Sequence, residues 1–130
     1  MTRSRLVAAA GAATVVNVGL FAFGSVAGAT WATSSPVAPS PALIAAVTII
    51  PILLAGAITG ALGASRPRLR RLAPRAGLVF GIAGAPVPFL ASSDVTTSLF
   101  LASMHVAAGI VWFLALRPGL EVTSGAGAAR

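Results

Sequence analysis

The chain has 130 residues, of which 57% are hydrophobic and only 8% are charged. A soluble domain carries about 25% charged residues because its surface must be hydrated, so this composition excludes a soluble enzyme. It also excludes a disordered chain, since disordered segments are poor in apolar residues. The length is enough for one domain. The class that remains is an integral membrane protein.

Groups that could carry out chemistry are scarce. Cysteine is absent, which excludes disulfides and thiolate metal sites. His105, Asp94 and Glu121 are predicted at three different depths, whereas a bound metal needs about three or four ligands at one point. The sequence has no nucleophile–base pair, no paired carboxylates and no glycine-rich phosphate loop after a strand. We therefore predict no catalytic residues, no metal and no cofactor.

Four apolar segments predict four membrane-spanning helices. Each is close to the roughly 20 residues that a span requires, and such segments must be helical because hydrocarbon offers no partner for backbone groups. The expected fold class is therefore all-α, an integral membrane four-helix bundle formed by one domain, 1–117. The Gly-, Ala- and Ser-rich tail, 118–130, is predicted to be disordered and cytoplasmic. The predicted helices are at about 6–29, 42–64, 76–93 and 95–116.

The first apolar segment allows two interpretations. Arg3 and Arg5, the apolar stretch and Ala27-Gly28-Ala29 together also resemble a secretory signal peptide with its cleavage site. The stretch is longer than the usual apolar core of about 7–15 residues, and Asn17 in its middle is unusual there. We expect residues 1–29 to be retained. Cleavage, which would leave three spans, is the alternative.

The arginines predict the orientation in the membrane. The formal net charge is +7, from nine basic and two acidic residues. With four spans, the N-terminus, the second connection and the C-terminus share one side, and together they hold every arginine. The positive-inside rule then places both termini in the cytoplasm of a bacterial cell, with the protein in its inner membrane. The second connection carries Arg66, Arg68, Arg70, Arg71 and Arg75.

The same arginine cluster has two further implications for partners. Each arginine near an anionic leaflet contributes on the order of 1 kcal/mol, so anionic lipid headgroups are an expected partner. Nucleic acid is not, because no aromatic or polar residues that read bases lie among the arginines.

Small residues follow one face of each predicted helix. Membrane helices associate by close backbone approach, which small residues permit. We therefore predict a tight bundle, with one face left for a second copy or for a larger membrane complex. The faces contain Ala9, Ala13, Asn17, Gly24 and Gly28 in the first helix, Gly56 and Gly60 in the second, Gly77 and Gly81 in the third, and Gly109 beside His105 in the fourth.

Two polar side chains and two prolines are predicted in the middle of the membrane. Asn17 and His105 both lie about 15–17 Å deep at 1.5 Å per residue, and we expect them to face one another. Pro51 and Pro86 fall at a similar depth and are predicted to kink their helices. The polar layer is either a hydrogen bond between helices or part of a ligand or proton path, histidine being a side chain that exchanges protons near neutral pH.

Three other residues have expected structural roles. Asp94 is predicted to cap the fourth helix, since a carboxylate suits a helix N-terminus. Trp31 and Trp112 lie toward opposite interfaces, and we expect both to anchor the protein in lipid.

Three short motifs carry a resemblance to known proteins. They are Val16-Asn17-Val18, the arginine-rich connection, and Ser103-Met104-His105-Val106. The chain resembles, over about residues 5–118, a family of small four-helix membrane proteins of unknown function from high-GC Gram-positive bacteria. The resemblance implies the four-helix fold and no activity. We predict a non-catalytic accessory or assembly subunit; the alternative is a minimal oligomeric transporter or channel that uses Asn17 and His105.

Overall fold

The computed structural model describes residues 3–117, and the predicted disordered tail lies outside the described residues. Four helical segments are long and apolar enough to cross a membrane, which confirms the all-α class and the four-helix bundle. The third of these segments, Pro67–Ala91, consists of two consecutive helices. The helices are α1 (Arg3–Val26), α2 (Pro41–Ser65), α3 (Pro67–Gly84), α4 (Val87–Ala91) and α5 (Val95–Leu116).

The bundle is open along one side. α1 packs against both α2 and α5, and α5 packs against α3. α2 and α3 are consecutive in the chain, yet they pack on each other much less than on their other neighbours. A cleft therefore separates α2 from α3.

Two apolar clusters form the core, one toward each end of the bundle. Ala13, Ile52 and Trp112 belong to the first, and Ile44 and Met104 to the second. Many other large apolar side chains point outward, as expected of helices that face lipid. Examples are Val15, Phe23, Phe80 and Leu90, which are between 74% and 88% exposed.

The described arginines gather at one end of the bundle, which we call the arginine end. Leu6 at the start of α1 contacts Gly56 near the end of α2, and Trp112 near the end of α5 bonds to Ala73 near the start of α3. The start of α1, the junction of α2 with α3 and the end of α5 therefore meet. Exposed arginines lie at all three places: Arg3, Arg5, Arg66, Arg68, Arg70, Arg71, Arg75 and Arg117.

The arginine-rich segment is a helix, which differs from the expected connection. α2 extends to Ser65 and α3 begins at Pro67, not at Ala76, so that only Arg66 lies between the two helices. Proline at the first position favours a helix start because its missing N–H would be unpaired there anyway. Arginine, leucine and alanine are good helix formers as well.

The two midmembrane prolines have different effects. α2 continues through Pro51. At Pro86 the chain does not merely kink: α3 ends at Gly84 and α4 starts at Val87. Pro86 and the nearby Pro88 both lack the N–H that a helix needs, and the loss of two donors within three residues interrupts it.

Asp94 caps α5 as predicted and also holds the loop that joins α1 to α2. Its Oδ1 accepts from the Thr96 N–H at 2.9 Å. Its Oδ2 accepts from the Thr30 N–H at 2.8 Å, from the Thr30 hydroxyl at 2.8 Å and from the Thr97 hydroxyl at 2.6 Å. The hydrogen bonds from the Thr30 N–H, and then from Thr97, hold the pKa of Asp94 well below its ordinary value. We call these four residues the Asp94 network.

Both tryptophans are buried, so the prediction that they anchor the protein in lipid is wrong. Trp31 is 9% exposed and stacks on Phe21 with ring centroids 4.4 Å apart. Trp112 is 7% exposed, and its indole N–H donates to the Ala73 carbonyl at 2.8 Å. Glycines make room for both rings, because a Cβ at Gly24 would lie 2.7 Å from Trp31 and one at Gly77 would collide with Trp112.

Candidate functional site

The cleft between α2 and α3 is the candidate site. Its volume is about 700 Å³, and α5 and one residue of α1 complete its wall. Most of the lining is apolar, with residues such as Ile52, Ile58 and Phe80. The polar side chains in the lining are few: Asn17, Thr48, Thr59, His105 and the indole of Trp112.

Glycine contacts set the α3–α5 wall of the cleft. A Cβ at Gly81 would lie 2.6 Å from the His105 carbonyl oxygen and 2.9 Å from the Gly109 Cα. The two backbones therefore touch, which only glycine allows. The prediction that Gly77 and Gly81 form a packing face is confirmed. Gly60 differs, since a Cβ there would meet no atom of the described residues within 4 Å.

Asn17 is held by one hydrogen bond and keeps one free acceptor. Its side chain is 4% exposed, and its Nδ2 donates to the Thr48 hydroxyl oxygen at 3.0 Å. The Thr48 hydroxyl donates in turn to the Ile44 carbonyl at 2.7 Å. The Oδ1 of Asn17 is buried and has no hydrogen-bond partner among residues 3–117. A buried amide oxygen without a donor is rare in folded proteins.

His105 also lines the cleft and keeps one free acceptor. Its Nδ1 lies 2.9 Å from the Leu101 carbonyl oxygen of the same helix. A carbonyl can only accept, so Nδ1 carries the hydrogen and donates it. In the neutral ring, Nε2 is then an acceptor. The edge of the ring lies over Gly84, where a Cβ would come within 2.8 Å of Cδ2.

The predicted pair of Asn17 and His105 shares one cleft but not a hydrogen bond. Asn17 bonds to Thr48 of α2, and His105 bonds within α5. Thr48 is the residue that sequence reasoning missed. A signal was available, because Thr48 lies at four-residue spacings from Ile52 and Gly56, on the face of α2 that is buried.

A double-mutant cycle separates these two pairings. Asn17→Ala combined with Thr48→Val is expected to give a coupling energy of about 0.6 kcal/mol, the usual size for hydrogen bonds between membrane helices. Asn17→Ala combined with His105→Ala is expected to be additive, since the two side chains do not bond. Unfolding free energies in mixed detergent micelles measure both cycles. Additivity for Asn17 and Thr48 would contradict the observed hydrogen bond.

The match to a known family covers this whole arrangement. A model of a family of unknown function, DUF6069, matches residues 1–122. The chain belongs to the DUF6069 family. The match includes all five helices of this DUF6069 protein and every residue of the cleft. No curated protein and no solved structure gave a significant match.

Proposed function

We propose that this DUF6069 protein is a non-catalytic accessory or assembly subunit that binds a membrane partner through α1. The observation that carries the proposal is an exposed small-residue face. A Cβ at Gly11 or Gly19 would meet nothing within 4 Å among the described residues, and Val15 between them is 74% exposed. Glycines of α3 and α5 pack against neighbouring helices of the bundle, whereas this face of α1 packs against none of the described residues. A helix of a second copy or of another membrane protein can approach it closely.

The position of the arginines supports a proposal for orientation and lipid contact. The described arginines lie at one end of the bundle and are exposed. In a bacterial inner (cell) membrane this favours both termini in the cytoplasm, with the arginine end among anionic headgroups. A basic set made of arginine without lysine, with abundant alanine and glycine, suits GC-rich codons.

Replacement of the exposed glycines tests the accessory role. In mild detergent, we expect the native protein to leave the membrane as an oligomer or with a larger membrane protein, as native mass spectrometry reports. Gly11→Leu with Gly19→Leu is expected to release a monomer whose unfolding temperature is unchanged, because neither position is packed inside the bundle.

Gly60→Leu is the matched control, since Gly60 is also open but lies on α2. It is expected to leave the complex intact. A wild-type protein that is monomeric and without a partner, or equal disruption by Gly60→Leu, would contradict the proposal.

A second candidate function is a minimal oligomeric transporter or channel. The observation that favours it is that Asn17 and His105 line one cleft, since polar groups at membrane depth mark ion and proton paths. Proton flux into liposomes with a trapped pH-sensitive dye tests it. The wild type is expected to conduct and His105→Ala to be inactive, while Ser103→Ala, on the same helix but outside the cleft, is unchanged. Liposomes with wild-type protein that are as tight as empty ones would exclude proton transport.

A further inference from the structure

Asn17 lines the cleft, and its buried Oδ1 has no hydrogen-bond partner among the described residues. We infer that it binds an uncharged, mostly apolar molecule that carries a hydroxyl group, and that this hydroxyl donates to Oδ1 of Asn17. The inference goes beyond the accessory role, because it does not use the exposed face of α1.

Size favours a small molecule over a protein segment. A volume of about 700 Å³ lies within the range of roughly 300–1,000 Å³ that is typical of small-molecule sites. A membrane-spanning helix, about 30 Å long and 10 Å wide, is several times larger. The apolar lining from Ile52, Phe80 and Met104 suits a hydrocarbon skeleton.

The free polar atoms define the chemistry of the ligand. Oδ1 of Asn17 lacks a donor, and Thr48 cannot supply one because its proton goes to the Ile44 carbonyl. His105 presents Nε2, also an acceptor, because its Nδ1–H goes to Leu101. A carboxylate, a phosphodiester or a ketone offers acceptors only and finds no match at these atoms. An ammonium would need a counter-charge at this depth, and the described lining contains no acidic side chain.

The cleft is open toward the lipid. Val47 and Ile58 of α2 and Phe80 of α3 are 55%, 49% and 80% exposed, and all three line the cleft. These apolar side chains lie where the two helices separate. An apolar alcohol dissolved in the bilayer can therefore enter the cleft from the side, without crossing water.

The experiment uses retinol as the probe, because it is apolar, carries one hydroxyl and accepts excitation energy from tryptophan. Trp112 lines the cleft, so bound retinol quenches its fluorescence. With the full chain in nanodiscs, we expect retinol to quench the tryptophan fluorescence in a saturable way, and to a greater extent than it does in nanodiscs without the protein. Retinyl acetate, which lacks the donor, is expected to bind about five- to tenfold more weakly, the equivalent of one net hydrogen bond.

Two variants locate the binding. Asn17→Leu is expected to bind retinol and retinyl acetate equally. If that variant does not fold, Ala76→Phe tests whether retinol binds in the cleft. Ala76 lines the cleft, and a phenyl ring there fills it, so this variant is expected to lose binding. Ala83→Phe is the matched control, because Ala83 is exposed on the same helix and lies outside the cleft.

Three results would overturn the inference. Quenching that never saturates would mean that retinol only partitions into the lipid. Equal affinity for retinol and retinyl acetate would mean that the hydroxyl does not donate to Oδ1 of Asn17. Equal loss of binding in Ala76→Phe and Ala83→Phe would mean that retinol does not bind in the cleft. None of these bears on the complex formed through Gly11 and Gly19, so failure here and failure of the accessory role are distinguishable.

Discussion

Gly81→Ala is expected to lower the free energy of unfolding by about 1–3 kcal/mol, and Gly81→Val by more, because an added side chain meets backbone. The Cβ would lie 2.6 Å from the His105 carbonyl oxygen and 2.9 Å from the Gly109 Cα. Backbone atoms cannot turn away as the end of a flexible side chain can, so α3 and α5 must separate. Thermal unfolding in detergent, followed by the loss of the folded peak in size-exclusion chromatography, measures the effect.

Gly60→Ala and Gly19→Ala are the controls for Gly81. Neither new methyl group meets an atom of the described residues within 4 Å, so both changes are expected to leave the free energy of unfolding unchanged or to raise it by up to about 1 kcal/mol, because alanine favours a helix more than glycine does. Because all three substitutions are the same, the difference isolates the contact between helices. Equal stability of Gly81→Ala and Gly60→Ala would show that the two backbones do not touch at this crossing.

Asp94→Asn is expected to lower the unfolding temperature at neutral pH and to remove part of its pH dependence. The carboxylate accepts from two backbone N–H groups and two hydroxyls. An amide offers one oxygen and one NH₂ group, so at least one backbone N–H faces another donor. The loop that contains Thr30 and the start of α5 both lose support.

The pH dependence has a definite sign. Hydrogen bonds to the ionised form lower the pKa of Asp94 in the folded protein below its ordinary value of 3.8. The stability that they confer is therefore complete above that value and is lost as the pH falls toward the folded-state pKa. We expect the wild-type unfolding temperature to fall between about pH 5 and pH 2, and the Asp94→Asn curve to be flatter.

All other titratable groups are common to both proteins, so the difference between the two curves reports Asp94. Parallel curves would mean that Asp94 is not hydrogen-bonded as observed. Thr96→Val is a useful comparison, because it removes a hydroxyl that makes no hydrogen bond to Asp94 but keeps the backbone N–H that Asp94 accepts from.

Features that depend on local sequence were predictable. Four apolar segments of span length give four helices, because hydrocarbon allows backbone groups no other pairing. Asp94 before an apolar segment gives a helix cap, because the carboxylate meets the N–H groups nearest to it in the chain. The packing face of Gly77 and Gly81 follows from their four-residue spacing. The candidate site was predicted in part, since Asn17 and His105 were identified as a midmembrane polar layer and both line the cleft.

Features that depend on which helices are neighbours were decided only by the tertiary structure. Depth alone suggested that Asn17 would face His105, but depth does not say how a helix is rotated, and α1 turns Asn17 toward Thr48. The burial of Trp31 and Trp112 depends on the space that Gly24 of α1 and Gly77 of α3 leave. The open cleft exists because α2 and α3 diverge beyond their junction. Hydropathy and residue spacing describe one helix at a time. The rotation of each helix about its axis, and the helices that it packs against, follow from the sum of contacts among all the helices.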